Sequence, residues 1–308
     1  MLGRLLGGSG HGIEVGIGDD AAVLSSPRAK LVWTIDEQVE GVHFRRDLAS
    51  WRDVGWRSYM AAASDVAAMG ATPWCALAAL VVPADVDDEA LRALATGQRE
   101  AADTAGAPVV GGNLARGPAM SIATTLLGTC EQPVQRRGAM AGDGLWLAGR
   151  VGLAAAGLRA LETGRGADPR LAVAVVAWRE PRALFAEGRA MAGRAHAAVD
   201  VSDGLARDAG HLADASGVQL VLDEAALLGD PALLEAAAAL GTSPLDLALH
   251  GGEDYALVAA GAQGIEGFRR IGDVRTGAGL VLRTGNAECS LEARGFDHFA
   301  RQPPSDGR

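Results

Sequence analysis

Lysine is almost missing from this chain. Lys30 is the only one, and every other member of the 28 Lys and Arg residues is arginine. Two common ways of holding ATP are thereby excluded, because the loop G-x-x-x-x-G-K-[ST] and the protein-kinase strand V-A-I-K both need a lysine at a set place. Lys30 sits in SSPRAK, a turn-like stretch that matches neither. Cysteine is scarce too. Cys75, Cys130 and Cys289 are far apart and form no C-x-x-C, so neither a disulfide framework nor a zinc site is expected, and they read as small buried hydrophobes in a reducing compartment. There is no basic excess. The 38 acids outnumber the bases and give a net charge of −10, which argues against a nucleic-acid partner, whose recognition leaves a basic footprint. Long apolar runs are missing as well. MLGRLLGGSGHG lacks a sustained apolar core and a cleavage pattern, and the uncharged stretch 67–84 is broken by Pro73 and Pro83, so no leader and no membrane span is expected. An acidic chain can still handle anionic substrates, because bound cations invert the local charge.

What the chain does have is glycine and apolar residues. Gly accounts for 42 of 308, about twice the usual ~7%, so tight turns and close backbone approaches are expected. Hydrophobic residues make up 49%, ample for a core, and the length suits two domains of roughly 100–200 residues each. Strands are expected at LVWTID (31–36), WCALAALVV (74–82), PVV (108–110) running into a GGN loop, AMSIATTLLGT (119–129), LWLAG, AAVDV, VQLVL, YALVAA and GLVLR. Ser50 and Asp53 form a capping box for a helix reaching about Met69, and Asp87 caps another that Gly106 stops. VGLAAAGLRALETG is a further helix, EPRALFAEGRAMAGRA another entered at Pro181, and a last one follows DVSDG. The polar, Gly-rich 131–144 separates an N-terminal α/β domain (1–137) from a C-terminal α/β domain (138–308). The expected fold class is α+β / α/β in two domains.

Most acids are ordinary. Asp85, Asp87, Asp88 and Glu89 crowd one helix start, where carboxylates complement the dipole. A second set lies at strand ends or in glycine turns: Asp19 and Asp20 in GIGDD, Asp36, Asp65 in SDVAAMG, Asp200 and Asp203 in DVSDG, and Glu253 and Asp254 in HGGEDY. Carboxylates at half-buried edges need compensation. Oxygen ligands gathered from separate segments are the normal way to hold Mg²⁺. Taken singly, GxGDD serves a β-turn and DVSDG a helix cap equally well; together, in a chain almost without lysine, they point to metal–phosphate chemistry.

GIGDDAAVL, TIDEQVEGVHF, SDVAAMGATP, VVGGN, DVSDGLARDAGHL, GGEDYAL and GFDHF follow one another from about residue 13 to 299. In this order they resemble the thiamine-monophosphate kinase family, part of the superfamily of aminoimidazole ribonucleotide synthetase and selenophosphate synthetase. The resemblance implies an N-terminal domain pairing across a homodimer and a C-terminal domain completing a nucleotide cleft. It implies direct transfer of the ATP γ-phosphoryl to thiamine monophosphate, assisted by several Mg²⁺ ions, in a cytoplasmic enzyme with no membrane or nucleic-acid partner. It places Asp20, Thr34, Asp36, Asp65, Asp200, Asp203 and Asn113 at magnesium, with Asp65 and Asp203 also counted as catalytic. Gly112, Asn113, Arg136 (or its neighbour Arg137) and Ser202 fall at ATP, and His43, Glu253 and Phe296 at thiamine monophosphate.

Each residue has a plainer structural alternative. His43 also suits a satisfied strand-end histidine, Phe296 a small core plug, Arg136 and Arg137 a solvated linker pair, and Glu253 a cap for the Tyr255 segment. The chain also departs from the family pattern. Asn113 replaces the acid of GGD, Ile35 replaces a hydroxyl residue, and Ala62 stands where asparagine is common. Asn113 and Ile35 fall at positions serving one metal, which leaves a catalytically weakened or inactive nucleotide-binding homologue as an alternative. Another ATP-dependent chemistry of the superfamily is a further one, against which stand the lack of cysteine before Cys75 and of a terminal cysteine.

Overall fold

The computed structural model describes residues 11–15, 17, 21–25 and 28–296. A short antiparallel pair, β1 (Ile13–Val15) and β2 (Val23–Leu24), precedes the long strand β3 (Lys30–Val39). The Ser50–Asp53 capping box then starts α1 (Trp51–Ala68): the Ser50 hydroxyl accepts the Asp53 N–H at 3.2 Å, and the Asp53 carboxylate accepts the Ser50 N–H at 3.0 Å. β4 (Thr72–Val82), α2 (Asp88–Ala105), β5 (Val109–Arg116) and β6 (Ser121–Cys130) follow. α2 starts at Asp87 and ends at Gly106, where φ of 69° is the left-handed cap a glycine supplies most cheaply.

These strands form a four-stranded sheet in the order β3-β6-β4-β5. α1 covers one face. Tyr59, Met60, Ala63 and Val66 pack there against Val32, Ala78, Leu80, Ile122 and Leu126. α2 crosses α1 at two glycines with no room for a methyl group: a Cβ on Gly55 would lie 2.0 Å from the Leu94 carbonyl oxygen, and one on Gly97 1.9 Å from that of Arg52. The opposite face of the sheet is bare, with Trp33 72% and Ile35 65% exposed.

The second half adds β7 (Gly144–Ala148), α3 (Leu153–Glu162), α4 (Ala172–Arg179), α5 (Phe185–Ala190), β8 (Ala197–Val201), α6 (Leu205–Ser216), β9 (Gln219–Asp223), α7 (Glu224–Leu227), α8 (Pro231–Leu240), α9 (Pro244–His250), β10 (Ala256–Gly261), β11 (Arg269–Arg275), β12 (Gly279–Thr284) and β13 (Ala287–Leu291). Its sheet has seven strands in the order β13-β12-β9-β11-β7-β10-β8, antiparallel throughout except for β9 with β12. Helices α3, α6 and α8 bury its main core. The halves are stitched together at α4. Trp178 packs into the first core rather than the second, the Trp56 Nε1–H donates to the Pro181 carbonyl at 2.6 Å, and Arg52 pairs with Glu180 at 2.5 Å.

Four expectations from sequence change. Cys289 is exposed rather than a buried hydrophobe. Asp36 lies inside β3, which runs on to Val39, rather than at a strand end. GGN is not a loop but lies inside β5. Pro181 does not open a helix. It follows α4, and its predecessor Glu180 leaves the helix (φ −126°, ψ 61°), as a residue before proline tends to do. Among the described residues, no single helix is long and apolar enough to cross a membrane.

Candidate active site

The site forms where the end of α1 meets both sheets. Ser64 and Asp65 are consecutive, so their side chains leave the helix ~100° apart. Asp65 turns to β3, where the Thr34 hydroxyl donates to its Oδ2 at 2.5 Å. Ser64 turns to β8, and its hydroxyl donates to Oδ2 of buried Asp200 at 2.7 Å. Asp36 follows Thr34 on the same face of β3, two residues along. Thr34, Asp65 and Asp200, together with Arg136 and Arg137, line a cavity of about 710 Å³.

Charge in this cleft is poorly tolerated. Burial raises Asp65 above the usual carboxylate range and the Asp36 charge adds to it, against the Thr34 hydrogen bond and the Arg136 cation. Burial pushes Asp200 up to about 7, with a further push from Asp65. A cation between these acids relieves both causes. Polar atoms nearby also await a partner. The Gln38 side chain donates to Asp36 at 3.0 Å, yet among the described residues its own Oε1 has no partner, and neither has the Thr124 hydroxyl directly across the ladder from Asp36. The donors are hard oxygens, the set that suits Mg²⁺. Among the described residues no three His, Cys, Asp or Glu side chains form a metal-binding group by themselves.

The DVSDG loop comes next to Asp200. Its backbone is gathered by one residue, Asp208. Oδ2 of this side chain accepts the N–H groups of Ser202, Asp203 and Gly204 at 2.9, 3.0 and 3.2 Å. Neither Ser202 nor Asp203 caps α6, since the N-cap is Gly204 without a side-chain bond. Asp203 instead faces Arg207 at 3.4 Å. Burial raises Asp208 to about 6, helped by the Asp203 charge and opposed by those backbone donors.

Two further segments reach this loop. The Phe296 N–H donates to the Asp203 carbonyl at 3.0 Å and its own carbonyl accepts from Arg207. Its ring is 44% exposed, so it is no core plug. The Glu253 N–H donates to the Ser202 carbonyl at 2.7 Å. Gly252 passes so close that a Cβ would lie 2.6 Å from the Ser202 oxygen. Glu253 and Tyr255 both adopt left-handed φ, 64° and 49°, a backbone strain typical of functional loops. Glu253 caps nothing: its carboxylate binds Arg57 and the Trp178 indole N–H.

Several expected residues stand apart. Asp20 lies outside the described residues. Gly112 and Asn113 lie on β5, at the sheet edge opposite Thr34 and Asp36. Ile35, by strand alternation, faces the bare side, away from Asp65. His43 sits in the turn after β3, with Nδ1 accepting the Val39 N–H at 3.0 Å. Both arginines of the pair line the cavity; the Arg136 charge acts on Asp65 and Asp200, and Arg137 donates to Gln135 at 2.8 Å. Sequence reasoning missed Ser64, Asp208, Arg57 and Trp178. The first two stood inside quoted motifs; the others are 196 and 75 residues from Glu253 and gave no signal.

Comparison with known proteins bears on this arrangement. Residues 18–130 match the family model "AIR synthase related protein, N-terminal domain". The thiamine-monophosphate kinase of Mycobacterium tuberculosis is 38% identical over 278 residues, spanning 89% of this chain and 83% of that protein. That of Aquifex aeolicus is 32% identical over 289 residues, 92% of each. The solved structure "AaThiL complexed with AMPPCP and TMP" superposes with a TM-score of 0.83 at 31% identity, covering 92% of both chains. The hydrogenase maturation protein HypE in complex with ATP shares the fold, with a TM-score of 0.76 at 19% identity.

Proposed function

The chain belongs to the thiamine-monophosphate kinase family, and from that premise we propose that it transfers the γ-phosphoryl group of ATP to the phosphate of thiamine monophosphate, giving thiamine diphosphate and ADP. The observation that carries this reading to its own residues is the convergence of Thr34, Asp65, Asp200 and Arg136 on one cleft. The acceptor is already an anion. An oxygen of its phosphate attacks the γ-phosphorus, the bond to the β–γ bridging oxygen breaks, and no proton has to be removed. A site for this reaction needs no general base; it needs to overcome repulsion between two polyanions and to line them up.

Each part of the site has a share in that task. Arg136 meets ATP phosphate, with Ser202, Gly112 and Asn113 as the other nucleotide contacts. Asp20, Thr34, Asp36, Asp65, Asp200, Asp203 and Asn113 are the proposed Mg²⁺ ligands, Asp65 and Asp203 being central to catalysis. Bound Mg²⁺ supplies neutralisation of the phosphate charge. His43, Glu253 and Phe296 hold thiamine monophosphate. The segments 1–137 and 138–308 act as the two walls of the cleft, and the cytoplasm, with its ATP and Mg²⁺, is the compartment.

A homodimer completes the proposal. β3 and β5 are the two edges of the first sheet, and its bare face carries Leu31, Trp33, Ile35 and Leu77. Ile35 and Asn113 share that face through the paired rows Ile35–Thr125–Leu77 and Glu37–Ala123–Ala79–Asn113. They stand three strand spacings, roughly 14 Å, apart, so one chain cannot bring both to one ion. A second copy laying its β5 edge against β3 can. The test of the activity is purified protein with ATP, Mg²⁺ and thiamine monophosphate, read for thiamine diphosphate. Product is expected, with free thiamine not accepted. Phosphorylation of thiamine but not of its monophosphate would overturn the assignment.

A further inference from the structure

Arg57 is a guanidinium cut off from water. It is 1% exposed, and its Nε has no hydrogen-bond partner among the described residues. A buried cation is costly unless it is paired and fully bonded. What it holds is Glu253: Nη2 donates to Oε1 of that carboxylate, while Nη1 donates to the Trp178 carbonyl. The guanidinium also lies over the Trp178 ring, 4.4 Å from its centre. Trp178 closes the circuit, its indole N–H donating to Oε2 of Glu253 at 2.8 Å. One carboxylate is thus gripped at both oxygens, from α1 and from α4. Its backbone, at φ 64°, is pinned to the Ser202 carbonyl beside the proposed metal site.

A carboxylate offers about four acceptor positions. Arg57 and Trp178 use two, and the Glu253 side chain keeps 24% of its surface open. We infer that Arg57 and Trp178 are positioning residues that hold the Glu253 carboxylate in one orientation, as a fixed acceptor for the amino group of the aminopyrimidine ring of thiamine monophosphate. This rests on the function proposed above. A free glutamate would sample several rotamers and lose side-chain entropy on binding; a gripped one has lost it on folding. The grip is on the side chain that meets the acceptor substrate, whereas Glu253 touches the proposed nucleotide contact Ser202 only through its backbone N–H.

The test is Trp178→Phe, which keeps a ring beneath Arg57 and the backbone carbonyl but removes the indole donor. KM for thiamine monophosphate should rise about tenfold, the scale of one lost hydrogen bond to a charged group. KM for ATP and kcat at saturation should stay within about twofold. In a Glu253→Ala background the same substitution should change KM for thiamine monophosphate no further, since it acts through that carboxylate. Arg57→Lys, which keeps the charge but not the two-point donor, should repeat the selective rise and serves if Trp178→Phe folds poorly. An unchanged KM for thiamine monophosphate alongside a lowered melting temperature would make the network structural only. So would equal effects on both substrates, or an undiminished effect in the Glu253→Ala background. Failure of the wild type to use thiamine monophosphate would instead count against the proposed function.

Discussion

Oδ2 of Asp208 accepts the backbone N–H of Asp203 at 3.0 Å, and the N–H groups on either side of it as well. The turn presenting Ser202 and Asp203 is therefore shaped by a side chain one helical turn further on. Asp208→Ala should leave three buried or half-buried donors without their acceptor, at about 1–3 kcal/mol each for those kept from water. A melting temperature lower by several degrees and a kcat reduced by at least an order of magnitude are expected. Thermal melts and steady-state kinetics check this; wild-type kcat in a destabilised variant would show that the turn does not need Asp208 for catalysis.

Asp65→Asn separates function from folding. The neutral amide removes one of the charges crowded with Asp36 and Asp200, so the ligand-free protein should be at least as stable as the wild type. Activity should fall about 10²–10³-fold, the usual scale for lost transition-state charge stabilisation. A marked loss of stability with activity retained would make Asp65 a structural acid.

The bare face of the first sheet predicts an oligomer. Trp33 is 72% exposed in one chain, on the edge strand β3, in a face that runs to two edges unpaired among the described residues. Placing a charge there, as in Trp33→Glu, should convert a dimer to monomers in analytical ultracentrifugation while leaving the far-UV circular dichroism intact. In the proposed dimer the same contact would also govern the metal requirement. Asn113→Asp should lower the Mg²⁺ concentration for half-maximal rate, and adding Ile35→Thr should lower it further, because the pair meets only across two chains. A monomeric wild type, or superimposable Mg²⁺ titrations, would contradict this arrangement.

Asp254 sets a pH dependence away from the proposed metal ligands. It accepts the N–H groups of Gly152 and Ala154 at 2.6 and 3.0 Å, at the start of α3. Burial, only partly opposed by these donors, raises it from 3.8 to about 7. The folded chain then binds this proton more tightly than the unfolded one, so the stabilisation is complete below about pH 4 and is lost as pH rises through about 7. Ligand-free Asp254→Asn should show a shallower fall in stability across that window than the wild type. Equal slopes in denaturant titrations would remove Asp254 from the account. Asp200 and Asp208 shift in the same direction, so part of the slope should survive.

What was legible in the sequence was local. The Ser50–Asp53 box, the Asp87 cap and the Gly106 stop depend on neighbours within a turn, and each appears as read. Asp65 was legible as a candidate acid from its small-residue motif, and Thr34 only through the family resemblance. The pairing between them was not, since it depends on how α1 lies on β3. GGN looked like a turn because glycine is usually one; here Gly112 lies beside Ala78 in a ladder so close that a Cβ would sit 1.9 Å from its carbonyl oxygen. The cap offered by Ser202 or Asp203 passed to Asp208, which competes for the same N–H groups from inside the helix. Arg57 and Trp178 looked like ordinary helix residues, and only the packing of α4 into the first core brings them to Glu253.

The central claim is that the two phosphates meet directly in the cleft of Asp36, Asp65 and Asp200, with no phosphorylated residue between them. The most direct measurement is the stereochemical course of transfer from ATP made chiral at its γ-phosphorus to thiamine monophosphate. A single in-line displacement predicts thiamine diphosphate carrying the labelled phosphoryl group with inverted configuration. Retention, the mark of two successive displacements through the enzyme, or absence of the labelled group from thiamine diphosphate, would contradict it.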